Sequence, residues 1–286
     1  MTDYKRLLTI QDISCVGQCS ATVALPVVSA FGTECAVYPT GVLSTHTAGF
    51  KGYTFRDLTD DFPAAIAHWK KENILFDFIY TGYLCGNAQI DCVKKCTELL
   101  TESGKLIVDP VMADHGKFYP GFDKDFAAQM ADLCSLAYVI IPNITEACFL
   151  TDSEYVQSGY DESYIKTIIA KLLALGTKNV VLTGVSFEPD KVGVAVAGED
   201  GNISYYFKER IPHDFHGTGD IYSSSFAGGL SIGMSLYEAA ALAVDFTVEC
   251  MKKTYDDRVA HWYGVKFEKA LPYLCERVVA YENSKK

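Results

Sequence analysis

Apolar positions in this chain follow two rhythms that alternate from the N-terminus to about residue 183. Short apolar runs rich in β-branched side chains read as buried strands, and longer stretches with apolar residues three and four apart read as helices. Arg6–Gln11 predicts a first strand, and after a Gly/Ser turn Ser20 caps an apolar helix that ends near Phe31, with Gly32 as its stop. The pattern then predicts a strand at Cys35–Thr40, a helix around Phe62–Lys71 and a strand at Phe76–Thr81. A helix from about Ala88 to Thr101, stopped by Gly104, leads to a strand at Leu106–Asp109 and a helix near Asp123–Cys134. Further strands are expected at Tyr138–Pro142 and Asn179–Thr183, with a short helix capped by Asn143 and a helix at Asp161–Leu175, stopped by Gly176, between them.

The rhythm then changes. Gly193–Ala197 and Ile203–Phe207 flank an Asp200-Gly201 turn, which predicts an antiparallel hairpin. From about Asp220 onward the chain reads as helical. Strands alternating with helices imply an α/β fold with a mainly parallel sheet covered on both faces, to which the hairpin adds antiparallel strands. No repeat, low-complexity segment or Pro/Gly/Ser linker interrupts residues 1–286, so one domain is expected. In such sheets ligands bind beyond the carboxyl ends of the strands.

Composition narrows the partners. The 286 residues are 49% hydrophobic, mean hydropathy is only +0.09, and no apolar run approaches bilayer length. The first residues lack the apolar stretch of a signal peptide, which points to the cytoplasm. A net charge of −11 argues against nucleic acid and anionic membranes as partners. The ten cysteines include no Cys-x-x-Cys pair and no zinc spacing, so they read as buried thiols that pack as small hydrophobes.

The strongest candidate chemistry is His216-Gly217-Thr218-Gly219-Asp220, followed by a small-residue helix start. Glycines on either side of Thr218 let the backbone approach a ligand, and the helix start offers free N–H groups and a positive dipole end. Asp220, at the edge of that anion hole, could take a proton from an attacking hydroxyl, or could simply cap the helix. The stretch is neither a P-loop, since no Gly-x-x-x-x-Gly-Lys-Ser/Thr occurs, nor a dinucleotide fingerprint, since Ser223 stands at the third glycine. Asp109 ends an apolar strand and is followed by Pro110, a position suited to Mg²⁺ or to capping a turn. Glu146 stands three residues after Asn143, the spacing of a capping box. Thr183-Gly184 ends another strand.

Taken together these motifs resemble the ribokinase-like superfamily, in which a Gly-Thr-Gly-Asp stretch supplies the anion hole and the catalytic aspartate. Val108-Asp-Pro-Val-Met112 with Asp114-x-Gly-Lys-x-Tyr119, and Pro142-Asn143-x-x-Glu146-Ala147, are similar to segments of pyridoxal and hydroxymethylpyrimidine kinases. The early Ile10-Gln-Asp12, Leu43-Ser-Thr45-His46-Thr47 and Thr81-Gly82-Tyr83 stretches are similar to those of pyridoxal kinases. Two positions depart from that pattern: Asp12 stands where a serine is usual, and Ala113 where a glycine is usual.

The resemblance implies a three-layer α/β/α ribokinase-like fold and transfer of a phosphoryl group from ATP, with Mg²⁺, to the 5′-hydroxymethyl of a vitamin B6 form. It implies Asp220 as base, with Gly217, Thr218 and Gly219 as anion hole. Asp109 and Glu146 would organise Mg²⁺, and Asn143, Thr183 and Gly184 would border the nucleotide. Asp12, His46, Thr47 and Tyr83 would line the vitamin pocket beside Asp220, and the assembly would be a homodimer. The alternatives are a hydroxymethylpyrimidine kinase and a non-catalytic B6- or nucleotide-binding protein.

Overall fold

Side chains along the central strands alternate between two apolar environments. Ile79, Leu106, Val108, Ile140, Val180 and Leu182 face one core; Phe78, Tyr80, Ile107, Val139, Ile141 and Val181 face the other. Strands apolar on both faces must be covered on both, and that requirement sets the three layers.

The computed structural model describes residues 4–285. Its first half contains β1 (Arg6–Ser14), α1 (Ala21–Ser29), β2 (Glu34–Leu43), β3 (Phe55–Asp57), α2 (Phe62–Lys71), β4 (Phe76–Thr81), α3 (Asn87–Cys96), β5 (Leu100–Val108), β6 (Ala113–Asp114), β7 (Lys117–Phe118) and α4 (Lys124–Cys134). The second half contains β8 (Val139–Ile140), α5 (Ile144–Leu150), α6 (Glu162–Ala174), β9 (Val180–Val185), β10 (Lys191–Ala197), β11 (Ile203–Glu209), α7 (Thr218–Ser231), α8 (Leu236–Tyr255) and α9 (Leu271–Ser284). Nine strands form one sheet in the order β11-β10-β9-β8-β5-β4-β1-β2-β3, and β6 and β7 form a separate small hairpin.

Pairing is parallel from β2 across to β9 and antiparallel at both edges, where β3 joins β2 and β10–β11 join β9. Helices α2 to α6 cover one face; α1, α7, α8 and α9 cover the other. The chain leaves β1 for β2 on one side and then crosses to β4 on the other. In sheets of this kind such a reversal marks the carboxyl edge as the ligand-binding side. Among the described residues no helix is long and apolar enough to cross a membrane.

Several sequence expectations need correction. Gly104 does not stop a helix: α3 ends at Cys96, and Gly104 lies inside β5. There the register slips, Phe76 pairing with Leu100 but Phe78 with Lys105, so a polar bulge in the strand imitates a turn. Ser20 stands at the start of α1, but its side chain makes no capping bond. Residues 256–270 form turns and one short 3₁₀ segment instead of continuous helix. All ten cysteines are free thiols, yet Cys15 and Cys275 are exposed instead of buried, because one lies in the loop after β1 and the other on the outer side of α9.

Candidate active site

The small residues after His216 have different local causes. Gly217 precedes the first turn of α7 with φ 78°, in the left-handed region that glycine favours. A Cβ there would overlap the Gln18 carbonyl, with Cys19 Sγ 3.3 Å away. Gly219 has no such constraint: a Cβ would meet no protein atom within 4 Å, and the position borders a cleft. The missing side chain at Gly219 therefore leaves the cleft open at the start of α7, where free helix N–H groups favour an anion. Thr218 turns its hydroxyl back to the Phe215 carbonyl at 3.2 Å.

The cleft encloses about 470 Å³ at the carboxyl edge of the sheet. It gathers Asp109, Asn143, Glu146, Thr183, Gly184, Gly217, Thr218, Gly219 and Asp220 from the ends of β5, β8 and β9 and the start of α7. Val192, Val194, Val244, Val248 and Met251 add an apolar part to its lining, of a kind suited to a flat base.

Asp220 is half-buried at the start of α7, and desolvation of its carboxyl group, with help from the nearby Asp12 carboxylate, pushes its pKa up to about 7. The Ser20 amide and the Cys19 thiol favour its charged form and limit the rise. A carboxyl group poised near neutral pH can exchange protons in both directions.

Asp109 accepts a 2.6 Å hydrogen bond from Ser223 Oγ, one helical turn after Asp220, and its backbone N–H donates to the Thr81 carbonyl. Glu146 completes the capping box with Asn143: Asn143 N–H donates to its Oε2 at 2.9 Å, and its own N–H donates to Asn143 Oδ1 at 2.9 Å. Oε1 accepts the Met112 N–H at 3.1 Å. Both Asp109 and Glu146 have raised pKa values, first from burial, and Asp109 adds to the rise at Glu146. A buried carboxyl pair near the start of a helix, with Asp220 raising the pKa of Asp109 and Asp109 that of Glu146, suits a divalent cation carrying phosphate oxygens and waters. Among the described residues no three His, Cys, Asp or Glu side chains form a metal cage.

The residues singled out on the vitamin side lie outside this cleft lining. Asp12, near the end of β1, is buried, accepts from Ser14 Oγ at 2.8 Å, and has its pKa raised by burial. Its charge is felt at both Asp220 and Tyr83. Tyr83 packs edge-on against Phe122 at 5.5 Å. His46 is buried with both nitrogens engaged: Nδ1 accepts the Ala48 N–H at 3.1 Å, so Nε2 donates to the Tyr263 carbonyl at 2.6 Å. Thr47 is exposed on the loop between β2 and β3. Sequence reasoning passed over Ser223, whose place in the helix carried the only signal: it follows Asp220 by three residues and so shares its face.

Known proteins share this architecture. A Bacteroides thetaiotaomicron protein assigned to the phosphomethylpyrimidine kinases and crystallised with pyridoxal superposes with a TM-score of 0.89, at 34% identity over 95% of this chain and 96% of that one. The pyridoxine/pyridoxal/pyridoxamine kinase of Bordetella pertussis is 29% identical over 265 residues, 87% of this chain and 89% of the relative. The hydroxymethylpyrimidine/phosphomethylpyrimidine kinase of Mycobacterium tuberculosis is 26% identical over 258 residues, with the same shares covered. The fold is the ribokinase-like one that the motifs implied, and since the sequence profile of phosphomethylpyrimidine kinases matches residues 25–264, the chain belongs to that family of small-molecule kinases.

Proposed function

We propose that the protein transfers the γ-phosphoryl group of ATP to the 5′-hydroxymethyl of pyridoxal, pyridoxine or pyridoxamine, with residues 1–286 acting as one kinase domain. The observation that carries this reading is Asp220 at the start of α7 on the cleft lining, with a pKa of about 7 to which the Asp12 carboxylate, outside that lining, contributes.

In this reading Asp220 accepts the proton of the 5′-hydroxyl as its oxygen attacks. The N–H groups at Gly217, Thr218 and Gly219 hold charge that develops on the transferred group, at no reorganisation cost because the helix already aims them. Mg²⁺, when bound, neutralises phosphate charge; Asp109 would hold it, with Glu146 acting through water because its oxygens serve the capping box and Met112. Asn143, Thr183 and Gly184 border the phosphates, and the apolar slot takes the adenine. Asp12 and Tyr83 contact the vitamin ring, His46 shapes the loop that carries Thr47, and Thr47 reaches the ring from that loop.

Three results are expected. Activity should need a divalent ion, and Asp109→Ala should raise the Mg²⁺ concentration needed for half-maximal rate far more than it changes KM for the vitamin; a change in vitamin KM alone would remove Asp109 from the metal site. The rate should climb with pH through about 7 and be lost below it, because the base must be unprotonated. Stability should run the other way. A carboxyl group whose folded pKa is raised above its unfolded value binds its proton more tightly when folded, so its contribution grows as pH falls from about 7 toward the unfolded value. A rate profile flat from pH 5.5 to 8.5 would exclude Asp220 as the base.

The third expectation concerns substrate choice. A site built to pair polar groups rejects an analogue that leaves them unpaired. Asp12 accepts hydrogen bonds when charged and pairs well with the amine of pyridoxamine, so pyridoxamine is expected among the better substrates. Competition between equal concentrations of pyridoxal, pyridoxamine and hydroxymethylpyrimidine, read by product mass, tests this. Prior consumption of the pyrimidine would favour the second reading, which the family name and the Mycobacterium relative support, and would leave the kinase chemistry standing.

A further inference from the structure

Behind Asp220 the chain holds conformations that side chains rarely adopt. Gln18 and Ser20 both have φ 55°, and Gly17 has φ 134°. Non-glycine residues remain in that region only where surrounding contacts over-determine them. Here the contacts come from the far end of the chain. Gln18 Nε2 donates to both Glu268 carboxylate oxygens at 2.8 Å, and Gln18 Oε1 lies 2.7 Å from His261 Nε2. The Gly17 carbonyl packs so closely on Gly264 that a Cβ there would come within 2.7 Å of it. The same segment accepts the His46 proton at the Tyr263 carbonyl.

The other side of this loop meets the site. The Gln18 carbonyl presses on Gly217, the residue that opens α7. Of the next two residues, Cys19 donates its thiol to the Gly17 carbonyl at 3.5 Å and sets its Sγ 3.3 Å from where a Gly217 Cβ would stand, and both Cys19 and Ser20 favour the charged form of Asp220. Asp12 and burial oppose them.

We infer that residues 261–268 form a clasp, and that Gln18 is the positioning residue through which it holds the 17–20 loop against Asp220 and Gly217. The inference rests on Asp220 being the catalytic base. Gln18 does not line the cleft. It fixes the donors that face the base and the carbonyl that backs the anion hole, so its loss displaces catalytic groups without removing a ligand contact.

The test compares Gln18→Ala, Glu268→Ala, Glu268→Gln and Asp220→Asn in the full-length protein. It uses whichever of pyridoxal and hydroxymethylpyrimidine the wild type turns over. Gln18→Ala should lower kcat by about tenfold to a hundredfold while KM for ATP stays within about twofold, because misplacement by a fraction of an ångström is felt in the chemical step. Its acid limb should move to higher pH, since a carboxylate that loses hydrogen-bond donors holds its proton more tightly. Glu268→Ala, at an exposed anchor, should show a smaller loss of the same kind even if Gln18→Ala fails to fold, and Glu268→Gln, which keeps an acceptor for Gln18, should restore the wild-type rate. Wild-type kcat and acid limb in folded Gln18→Ala and Glu268→Ala, beside an inactive Asp220→Asn, would overturn the clasp alone. Equal losses in Glu268→Gln and Glu268→Ala would also overturn it. Full activity in Asp220→Asn would overturn the base assignment on which it rests.

Discussion

Replacing Asp220 by asparagine is expected to lower kcat by about two to four orders of magnitude, the usual worth of a positioned general base. The amide keeps the size of the carboxylate and can still accept a hydrogen bond at its oxygen, so substrate affinity should change little. The same substitution should make the protein more stable above neutral pH. The wild type keeps a half-buried carboxylate charged there against the pull of desolvation and of Asp12, and the neutral amide removes that cost. Thermal unfolding at pH 8 should show a melting temperature higher by a few degrees, and the difference should shrink as pH falls and the wild-type group takes up its proton. Near-wild-type turnover would reduce Asp220 to a helix-start residue. A large loss of both activity and stability would mean that the amide disrupts the site instead of disabling it.

The second large effect separates the two glycines of the proposed anion hole. At Gly219 an alanine methyl meets nothing beyond its own helix and replaces glycine within that helix, where alanine is favoured by about 1 kcal/mol. Folding should be unharmed or slightly improved. The methyl, however, enters the space before the helix N–H groups, and blocking an oxyanion-type site costs about a hundredfold or more in rate. At Gly217 alanine would be held at φ 78° and would overlap the Gln18 carbonyl. That variant should lose roughly 1–3 kcal/mol of stability along with activity. Melting curves and kcat/KM for both variants test the contrast. If Gly219→Ala kept full activity, the anion would bind elsewhere.

Much of this architecture is visible in the sequence because sheets of this kind place chemistry at strand ends. The runs that become β4, β5, β8 and β9 are apolar on both faces, and Asp109, Asn143 and Thr183 stand at or just beyond them. Gly217 to Asp220 stand out because two glycines and an acid before a small-residue helix have few other uses. The errors have local causes too. All three residues of β3 are exposed, so no periodicity marks that edge strand. The polar bulge of β5 imitates a turn. Contacts between distant segments leave no local trace: Ser223 reaches Asp109 across 114 positions, and Gln18 reaches Glu268 across 250. His46 resembles a ligand contact in sequence, but both of its nitrogens are occupied within the protein.

The most direct test of the account is a phosphoryl-transfer assay with the purified protein, Mg·ATP and pyridoxal. Mass spectrometry would follow the product, and phosphorus NMR would locate the phosphate. The account predicts ADP and a phosphorylated vitamin in equal amounts, with the ester on the 5′ oxygen, and near-complete loss of both products in Asp220→Asn. ADP released without a phosphorylated vitamin, or transfer to hydroxymethylpyrimidine with none to any B6 form, would contradict it.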